Sequence, residues 1–407
     1  MVDISKRGKA MPASPIRKLV PYAEAAIARG TKVHHLNIGQ PDIATPDAFM
    51  RAYRENDITV LGYGHSAGLW SYREALSRYY KKCGIDVTKD EILVTTGGSE
   101  ALLFTMMAIL DPGDEVIVPE PFYTNYTAFA IQGSASVVPV TCYAENGFKL
   151  PPIEDIAAKV TDRTRAIVLN NPNNPTGYVC TPDEIDAIAK LCIERDLFLI
   201  SDEVYREFVW DGFETKSVMN CPGLEQHAII VDSVSKRYSA CGARVGCIVT
   251  RNEAILDATL KMGQARLCPP TIDQLAAEAA VDVPDSYFEE VSAEYTRRRD
   301  CVFEALSKME GVVSKKSHGA FYCVAKLPID DGDKFCQWML ETFDHGGETV
   351  MMAPASGFYA TEGLGRDEVR IAYVLCCEDL ERAMAALAAG LEAYPGRKPA
   401  SEVASGA

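Results

Sequence analysis

The chain has 407 residues, 47% of them hydrophobic, and carries 41 Lys and Arg against 57 Asp and Glu, a formal net charge of −16. That length accommodates a large core and two domains, and that charge disfavours nonspecific binding to nucleic acid or to an anionic membrane. The longest apolar run, Ala101 to Leu110, is interrupted by Thr105 and is too short to span a bilayer.

The first thirty residues lack the apolar core of a signal peptide, so a cytoplasmic location is expected. The 13 cysteines are scattered and form no C-x-x-C pair, which reads as buried reduced thiols. The six histidines include His34-His35 but no H-E-x-x-H spacing, so no metal site is expected.

Met1 to Ala13 is polar and expected to be loose, and Ser14-Pro15-Ile16-Arg17 leads into a helix that runs through Ala28 and stops at Gly30. Val33 to Ile38 reads as a strand ending in the turn Gly39-Gln40-Pro41-Asp42, whose glycine permits close approach of backbone to a ligand or a plain chain reversal. The loop Tyr63-Gly64-His65-Ser66-Ala67-Gly68 precedes a helix over Tyr72 to Lys82. Ile92 to Thr95 is a strand, joined by Thr96-Gly97-Gly98-Ser99-Glu100 to a helix from Ala101 to Leu110. Strand, glycines, hydroxyl and helix start form an anion cradle, with phosphate its natural occupant. The spacing is neither G-x-G-x-x-G nor a Walker motif, and Ala101 spoils a G-x-S-x-G elbow.

Further strands are expected at Glu115 to Val118, Ser136 to Val140, Ala166 to Leu169 and Phe198 to Ile200, with helices near Tyr123 to Ile131 and Pro182 to Arg195. This alternation implies a mainly parallel sheet covered on both faces. Polar clusters follow two of the strands, Asn170-Asn171-Pro172-Asn173-Asn174-Pro175-Thr176-Gly177 and Ser201-Asp202-Glu203-Val204-Tyr205. Each alone could be a turn or a cap. The next apolar run, Ala228 to Val231, delivers Ser233, Ser235 and Lys236 onto a turn ahead of Gly242, Arg244 and Gly246. A lysine leaving the carboxyl end of a buried strand stands where open α/β sheets bind ligands, and the hydroxyls and arginine nearby could hold a phosphate. Ser233-Val234-Ser235-Lys236 also satisfies the S-x-x-K pattern of serine acyl-transferases, but the S-D-N and K-T-G segments of that class are absent.

A strand and helix reach Lys261, followed by Arg266 and the breakers Pro269-Pro270; a long helix from Asp285 to Met309 then marks a change of pattern. The C-terminal third alternates Phe321 to Val324, a helix Lys334 to Thr342, Val350-Met351, Val369-Arg370-Ile371 and a last helix through Leu391. The expected architecture is α/β: a three-layer αβα large domain with a mainly parallel sheet over residues 49–284, and a smaller α+β domain over 285–395. Residues 1–48 form an arm and part of the small domain, and a frayed tail runs from 396 to 407.

In order along the chain, Gly39-Gln40-Pro41-Asp42, Gly97-Gly98-Ser99, Asn174-Pro175-Thr176-Gly177, Asp202-Glu203-Val204-Tyr205, Ser235-Lys236 with Gly242-x-Arg244-x-Gly246, and Arg370-Ile371 are present. From about Ser14 to Leu391 the sequence therefore resembles the fold-type I, pyridoxal-phosphate-dependent aminotransferases of the aspartate aminotransferase superfamily (class I/II). The resemblance implies pyridoxal 5′-phosphate as cofactor and assigns roles residue by residue. Lys236 would form the Schiff base with the cofactor aldehyde and, once released, shuttle the substrate proton. Asp202 would keep the ring nitrogen protonated, and Asn174 and Tyr205 would donate to the phenolic oxygen. Tyr123, with Phe122 as the alternative, would stack on the ring. Gly97, Gly98, Ser99, Ser233, Ser235 and Arg244 would hold the phosphate, joined by Tyr63 of a neighbouring subunit, which implies a homodimer with shared sites. Arg370 would bind the substrate α-carboxylate, helped by Gly39 and Asn174.

Two positions bear on the substrate. Gln40 stands where the family often has glutamate, and Ser99 where some prokaryotic aspartate-specific members carry a lysine for the distal carboxylate. Arg266 lies near the place where other members put an arginine that reaches the partner's distal carboxylate, or is an ordinary surface arginine. The expected reaction moves an amino group from an L-amino acid, aspartate first and aromatic or neutral amino acids as the alternative, to a 2-oxo acid such as 2-oxoglutarate. A same-fold C–S or β-lyase is the other chemistry left open. A cofactor-binding regulator would need a DNA-binding domain, and none is visible.

Overall fold

The computed structural model describes residues 2–399. Twelve strands occur in this span: β1 (Lys32–His35), β2 (Ile92–Thr95), β3 (Glu115–Glu120), β4 (Ser136–Thr141), β5 (Thr164–Asn170), β6 (Phe198–Asp202), β7 (Ala228–Ser233), β8 (Gly246–Val249), β9 (Tyr322–Lys326), β10 (Glu348–Met351), β11 (Ala353–Pro354) and β12 (Glu368–Ala372). Seven of them form one sheet in the order β2-β8-β7-β6-β5-β3-β4. Only β8 runs against its neighbours, so the sheet is mainly parallel, as the alternation of elements predicted.

The side-chain period of two explains why both faces of this sheet are covered. Along β7, Ala228 and Ile230 enter the core on one face while Ile229 and Val231 enter the core on the other. Along β5, Ile167 and Leu169 share the first core, and Ala166 and Val168 the second. Helices Trp70–Lys82 and Pro182–Arg195 contribute to the first layer, Gly97–Ile109 and Asn125–Gln132 to the second. Thr181 begins helix Pro182–Arg195 with a capping box, in which its hydroxyl accepts from the Glu184 N–H at 3.2 Å and Glu184 accepts from the Thr181 N–H at 2.7 Å.

A second core gathers the C-terminal third around helices Asp285–Ser307, Gly332–Glu341 and Cys377–Ala393, with the antiparallel sheet β11-β12-β9. The N-terminal segment joins it: β1 pairs in parallel with β10, and Leu19, Ala23 and Ala26 of the region around helix Val20–Ala28 pack into the same core.

Several boundaries differ from expectation. β5 and β6 continue through Asn170 and Asp202, which pair directly across the two strands, although polarity suggested that both strands stop earlier. Backbone pairing carried on past the apolar run because the next strand offered partners. Lys236 lies not in a bare turn but in a short helix, Val234–Arg237, capped by the Ser233 hydroxyl. Helices Asp47–Arg54, Ile153–Ala157 and Thr271–Ala279 carried no recognised signal; in the last, Pro269-Pro270 is the entry to a helix rather than a loop. The expected loose N-terminus contains a helical turn, Lys6–Ala10, capped by Ser5. The expected frayed tail is held as far as Lys398, because Gly396 and Lys398 exchange backbone hydrogen bonds with Asp330 and Pro328; residues 400–407 lie outside the described residues.

Gly246 opens β8 where the sheet meets the glycine loop. A Cβ there would lie 2.5 Å from the Gly97 carbonyl carbon, 2.6 Å from the Gly98 nitrogen and 2.7 Å from the Asp232 oxygen, all backbone atoms that cannot swing aside. Gly246→Ala is therefore expected to cost about 1–3 kcal/mol in urea unfolding. A variant as stable as the parent would show that the loop and sheet are less tightly joined than described.

Candidate active site

The carboxyl ends of β5, β6 and β7 meet the turn after β1 and the strands of the smaller unit around a cavity of about 400 Å³. Gly39, Gly98, Ser99, Tyr123, Asn174, Asp202, Tyr205, Ser233, Ser235, Lys236, Arg244 and Arg370 all line it. These residues span more than 330 positions of sequence, from 39 to 370, and the topology alone brings them together.

At the floor, the Asp202 carboxylate is buried and accepts hydrogen bonds from the Tyr126 hydroxyl at 2.8 Å and the Val204 N–H at 3.4 Å. No basic side chain lies within ion-pairing distance of it among the described residues. Burial pushes its carboxyl up to about 7, against the pull of the hydrogen bonds from Tyr126 and Val204. Tyr123 lies edge-on to Tyr126, with ring centroids 5.6 Å apart, and lines the cavity. Phe122 is in the core behind it, so of the two aromatic candidates only Tyr123 faces the cavity.

Lys236 donates from Nζ to the Gly39 carbonyl at 2.7 Å and lies 3.7 Å from the Cys241 Sγ. Beneath it runs a buried ionic network: Asp232 accepts from Arg237 and from Arg206, Arg206 also bonds Glu203, and Arg237 bonds Glu207. Lys236 itself is not part of that network. The Tyr205 and Tyr322 hydroxyls are 3.0 Å apart, and Tyr322 donates toward the Gly39 carbonyl at 3.4 Å. Burial raises the Tyr205 hydroxyl well above its ordinary value, so it is a proton-bearing donor. A Cβ at position 39 would fall 1.6 Å from the Tyr322 hydroxyl oxygen, which explains the glycine.

On the side of the smaller unit, Arg370 of β12 is buried between the rings of Tyr322 and Phe358, at 4.7 and 4.9 Å. It donates to Asn174 Oδ1 at 3.0 Å and to the Asn37 carbonyl, and its Nε has no partner among the described residues. Burial lowers its affinity for its proton, and no carboxylate among the described residues pairs with it. Asn174 is fixed in turn, its N–H bonding Asn170 Oδ1 at 2.6 Å while Asn170 Nδ2 donates to the Asp202 carbonyl at 3.0 Å.

On the side of the large sheet, Ser233 and Ser235 have their hydroxyls 2.8 Å apart at the foot of the helix that carries Lys236. Gly97 sits behind the cavity wall with φ of +76°; a Cβ there would lie 2.4 Å from Arg244 Nη2. Arg244 adopts a left-handed backbone at φ +54° and donates to the Cys241 carbonyl at 3.0 Å, with no acidic partner among the described residues. Helix-start residues Gly98 and Ser99, the two serine hydroxyls and a guanidinium with no acidic partner among the described residues thus line one side of the cavity, where the sequence led us to expect an anion cradle.

Of the residues expected at the site, Gly97, Tyr63 and Arg266 do not line this cavity, Tyr63 being expected there from a neighbouring subunit. Tyr63 is 83% exposed on a segment outside the cavity. Arg266 ends helix Glu253–Arg266 pointing inward, where it pairs with Glu100 at 3.1 Å and donates to the Ser66 carbonyl at 3.1 Å. Within this chain its charge is matched by Glu100. Conversely, Tyr126, Asn170, Cys241 and Tyr322 were not singled out. Tyr126 could have been found by its i+3 spacing from Tyr123 on one helix, and Asn170 as the first residue of the polar run; nothing local marks Tyr322.

The raised Asp202 carboxyl has a measurable consequence in ligand-free protein. In the unfolded chain it ionises near about 3.9, and in the folded protein near about 7. Between these values only the folded state keeps the proton, so this group's contribution to stability falls as pH rises through that window and is level above it. Asp202→Asn is expected to raise the melting temperature of ligand-free protein more at pH 8 than at pH 5. An equal shift at both pH values would mean that Asp202 ionises normally.

Comparison with known proteins agrees with this geometry. The sequence profile of the family described as aminotransferase class I and II matches residues 31–387. The aspartate aminotransferase of Pyrococcus abyssi is 34% identical over 381 residues, covering 91% of this chain and 94% of that protein. The aromatic-amino-acid aminotransferase 2 of Thermococcus litoralis is 32% identical over 389 residues, covering 94% and 96%. Among solved structures, the aspartate aminotransferase from Thermotoga maritima superposes with a TM-score of 0.87 at 30% identity, over 96% of this chain and 100% of that one. With a profile that spans most of its length and a fold shared with these enzymes, the chain belongs to the class I and II aminotransferase family.

Proposed function

We propose that the chain binds pyridoxal 5′-phosphate and transfers the amino group of an L-amino acid, aspartate first, to a 2-oxo acid such as 2-oxoglutarate. The observation that carries this reading is the set of unmatched charges in one cavity. Lys236, Arg244 and Arg370 have no acidic partner and Asp202 has no basic one among the described residues. A ligand with a phosphate, a protonatable ring nitrogen and an aldehyde fits that pattern, and the α-carboxylate of an amino acid fits Arg370. When bound, this cofactor supplies an electron-accepting ring and a carbon that takes and returns the amine.

The chain's own groups do the rest. Gly98, Ser99, Ser233, Ser235 and Arg244 would hold the phosphate, and Asp202 would hold a proton on the ring nitrogen. Asn174 and Tyr205 would donate to the phenolic oxygen, with Tyr123 against the ring. Lys236 is the amine that would hold the aldehyde carbon and, when free, would move a proton at the substrate Cα. Its hydrogen bond to a carbonyl rather than to a carboxylate leaves it free to do so.

Other parts of the assignment go with this reading. The exposed apolar run Val60, Leu61 and Tyr63 suits an interface between two copies, through which Tyr63 would reach the partner's phosphate. No helix among the described residues is long and apolar enough to cross a membrane, in keeping with a cytoplasmic enzyme. Residues 49–284 would form the cofactor-binding domain and 285–395, with the N-terminal segment, the smaller one. The aromatic or neutral alternative is favoured by one observation, the pairing of Arg266 with Glu100.

The test is the coupled formation of oxaloacetate and glutamate from L-aspartate and 2-oxoglutarate. Lys236→Ala is expected to lower the rate by at least about 10³-fold. Ammonia release without glutamate formation, or a fully active Lys236→Ala protein, would overturn the assignment.

A further inference from the structure

We propose that Arg17 recognises the side-chain carboxylate of a dicarboxylic substrate, an inference that rests on the proposed transamination. The cavity is lined by four cationic side chains, Arg17, Lys236, Arg244 and Arg370, and by one anionic side chain, Asp202. In the reading above, Arg244 serves the phosphate, Arg370 the α-carboxylate and Lys236 the aldehyde. Arg17 has no assigned anion. Its side chain makes no ion pair or hydrogen bond with the described residues, in a protein whose net charge is −16 and whose surface offers many carboxylates.

The position of Arg17 is set by its neighbours. Its N–H bonds the Ser14 carbonyl at 3.2 Å, and its carbonyl accepts from the Val20 N–H at 3.0 Å at the start of helix Val20–Ala28. Pro15 packs so closely on Gly357 that a Cβ there would lie 2.3 Å from the Pro15 Cβ. Ile16 is half-buried against the cluster containing Phe358, the same ring that flanks Arg370. The Ile16 carbonyl accepts from Asn37 Nδ2 at 3.4 Å, and the Asn37 carbonyl accepts from Arg370. The backbone at Ile16 and Arg17 is thus anchored two hydrogen bonds from the α-carboxylate arginine, and the Arg17 side chain is exposed on the rim of the cavity.

An amino acid held at its α-carboxylate by Arg370 would direct its side chain toward the remaining part of the cavity. A guanidinium there can accept a carboxylate through two parallel hydrogen bonds, which a neutral side chain cannot reproduce. Since Arg266 is matched by Glu100 and Ser99 supplies only a hydroxyl, Arg17 is the cation left for that task among the described residues lining the cavity.

The experiment compares wild type with Arg17→Ala in two arms. In the first, kcat/KM is measured for L-aspartate and L-alanine, each with 2-oxoglutarate held saturating. The variant is expected to lose about 10- to 100-fold on aspartate and to stay within about threefold on alanine. In the second, calorimetry follows binding of succinate to the cofactor-loaded protein, expected to weaken by a similar factor, with Arg17→Lys intermediate. Equal losses on aspartate and alanine, or no loss on either, would overturn the proposal. If wild type transfers no amine at all, the transamination reading falls, and unchanged succinate binding by Arg17→Ala then overturns the role of Arg17 separately.

Discussion

The structure depends on keeping opposite charges apart inside one cavity. Asp202, Lys236 and Arg370 would gain by pairing with one another, yet each is tied to neutral partners: a tyrosine hydroxyl and an amide for Asp202, the Gly39 carbonyl for Lys236, and Asn174 with the Asn37 carbonyl for Arg370. Leaving buried charges unpaired costs stability. It is tolerated where the arrangement is complementary to a ligand rather than to itself, and a site prepared in this way need not reorganise when charge develops during reaction. Burial of Asp202 raises its carboxyl for the same reason.

The fold supplies the fixed points. Pairing of Asn170 with Asp202, of Asp202 with Val231, and of Ser233 with Gly246 aligns the ends of β5, β6, β7 and β8, so that groups distant in sequence face one opening. Below, the Asp232–Arg237–Arg206–Glu203 network satisfies its own charges and holds the base of the helix bearing Lys236 without competing for its amine. The smaller unit brings Arg370 and Tyr322 on paired strands β12 and β9. The turn after β1 brings Gly39 close enough to touch both Lys236 and Tyr322. Movement between the two units would therefore act directly on the contacts of Lys236 and Arg370.

Much of this was legible in the sequence because buried parallel strands announce themselves. Runs such as Ala228 to Val231 and Ala166 to Leu169 are continuous, apolar and β-branched, and the polar residues that follow them mark the functional edge of the sheet. The ends of those strands were read short because Asn170, Ser201 and Asp202 are polar, and only the partner strand reveals that they still pair. The orientation of Arg266 was not legible for a related reason. A lone arginine before two prolines says nothing of where it points, and its partner Glu100 lies 166 residues away. Tyr126 and Tyr322 were missed because each acts through another residue, holding Asp202 and Tyr205, and such roles exist only in three dimensions. Arg17 likewise reads as part of a helix entry, and only the cavity gives it a ligand-facing position.

In the proposed function, the cavity takes a ligand whose charges are the inverse of its own. The most direct measurement is the affinity of ligand-free protein for pyridoxal 5′-phosphate and for pyridoxal, which differ only in the phosphate. Charge complementarity at the glycine cradle and Arg244 requires the phosphorylated form to bind more tightly by roughly 100-fold or more. Equal affinities would contradict it, and the unmatched cations would then need another explanation.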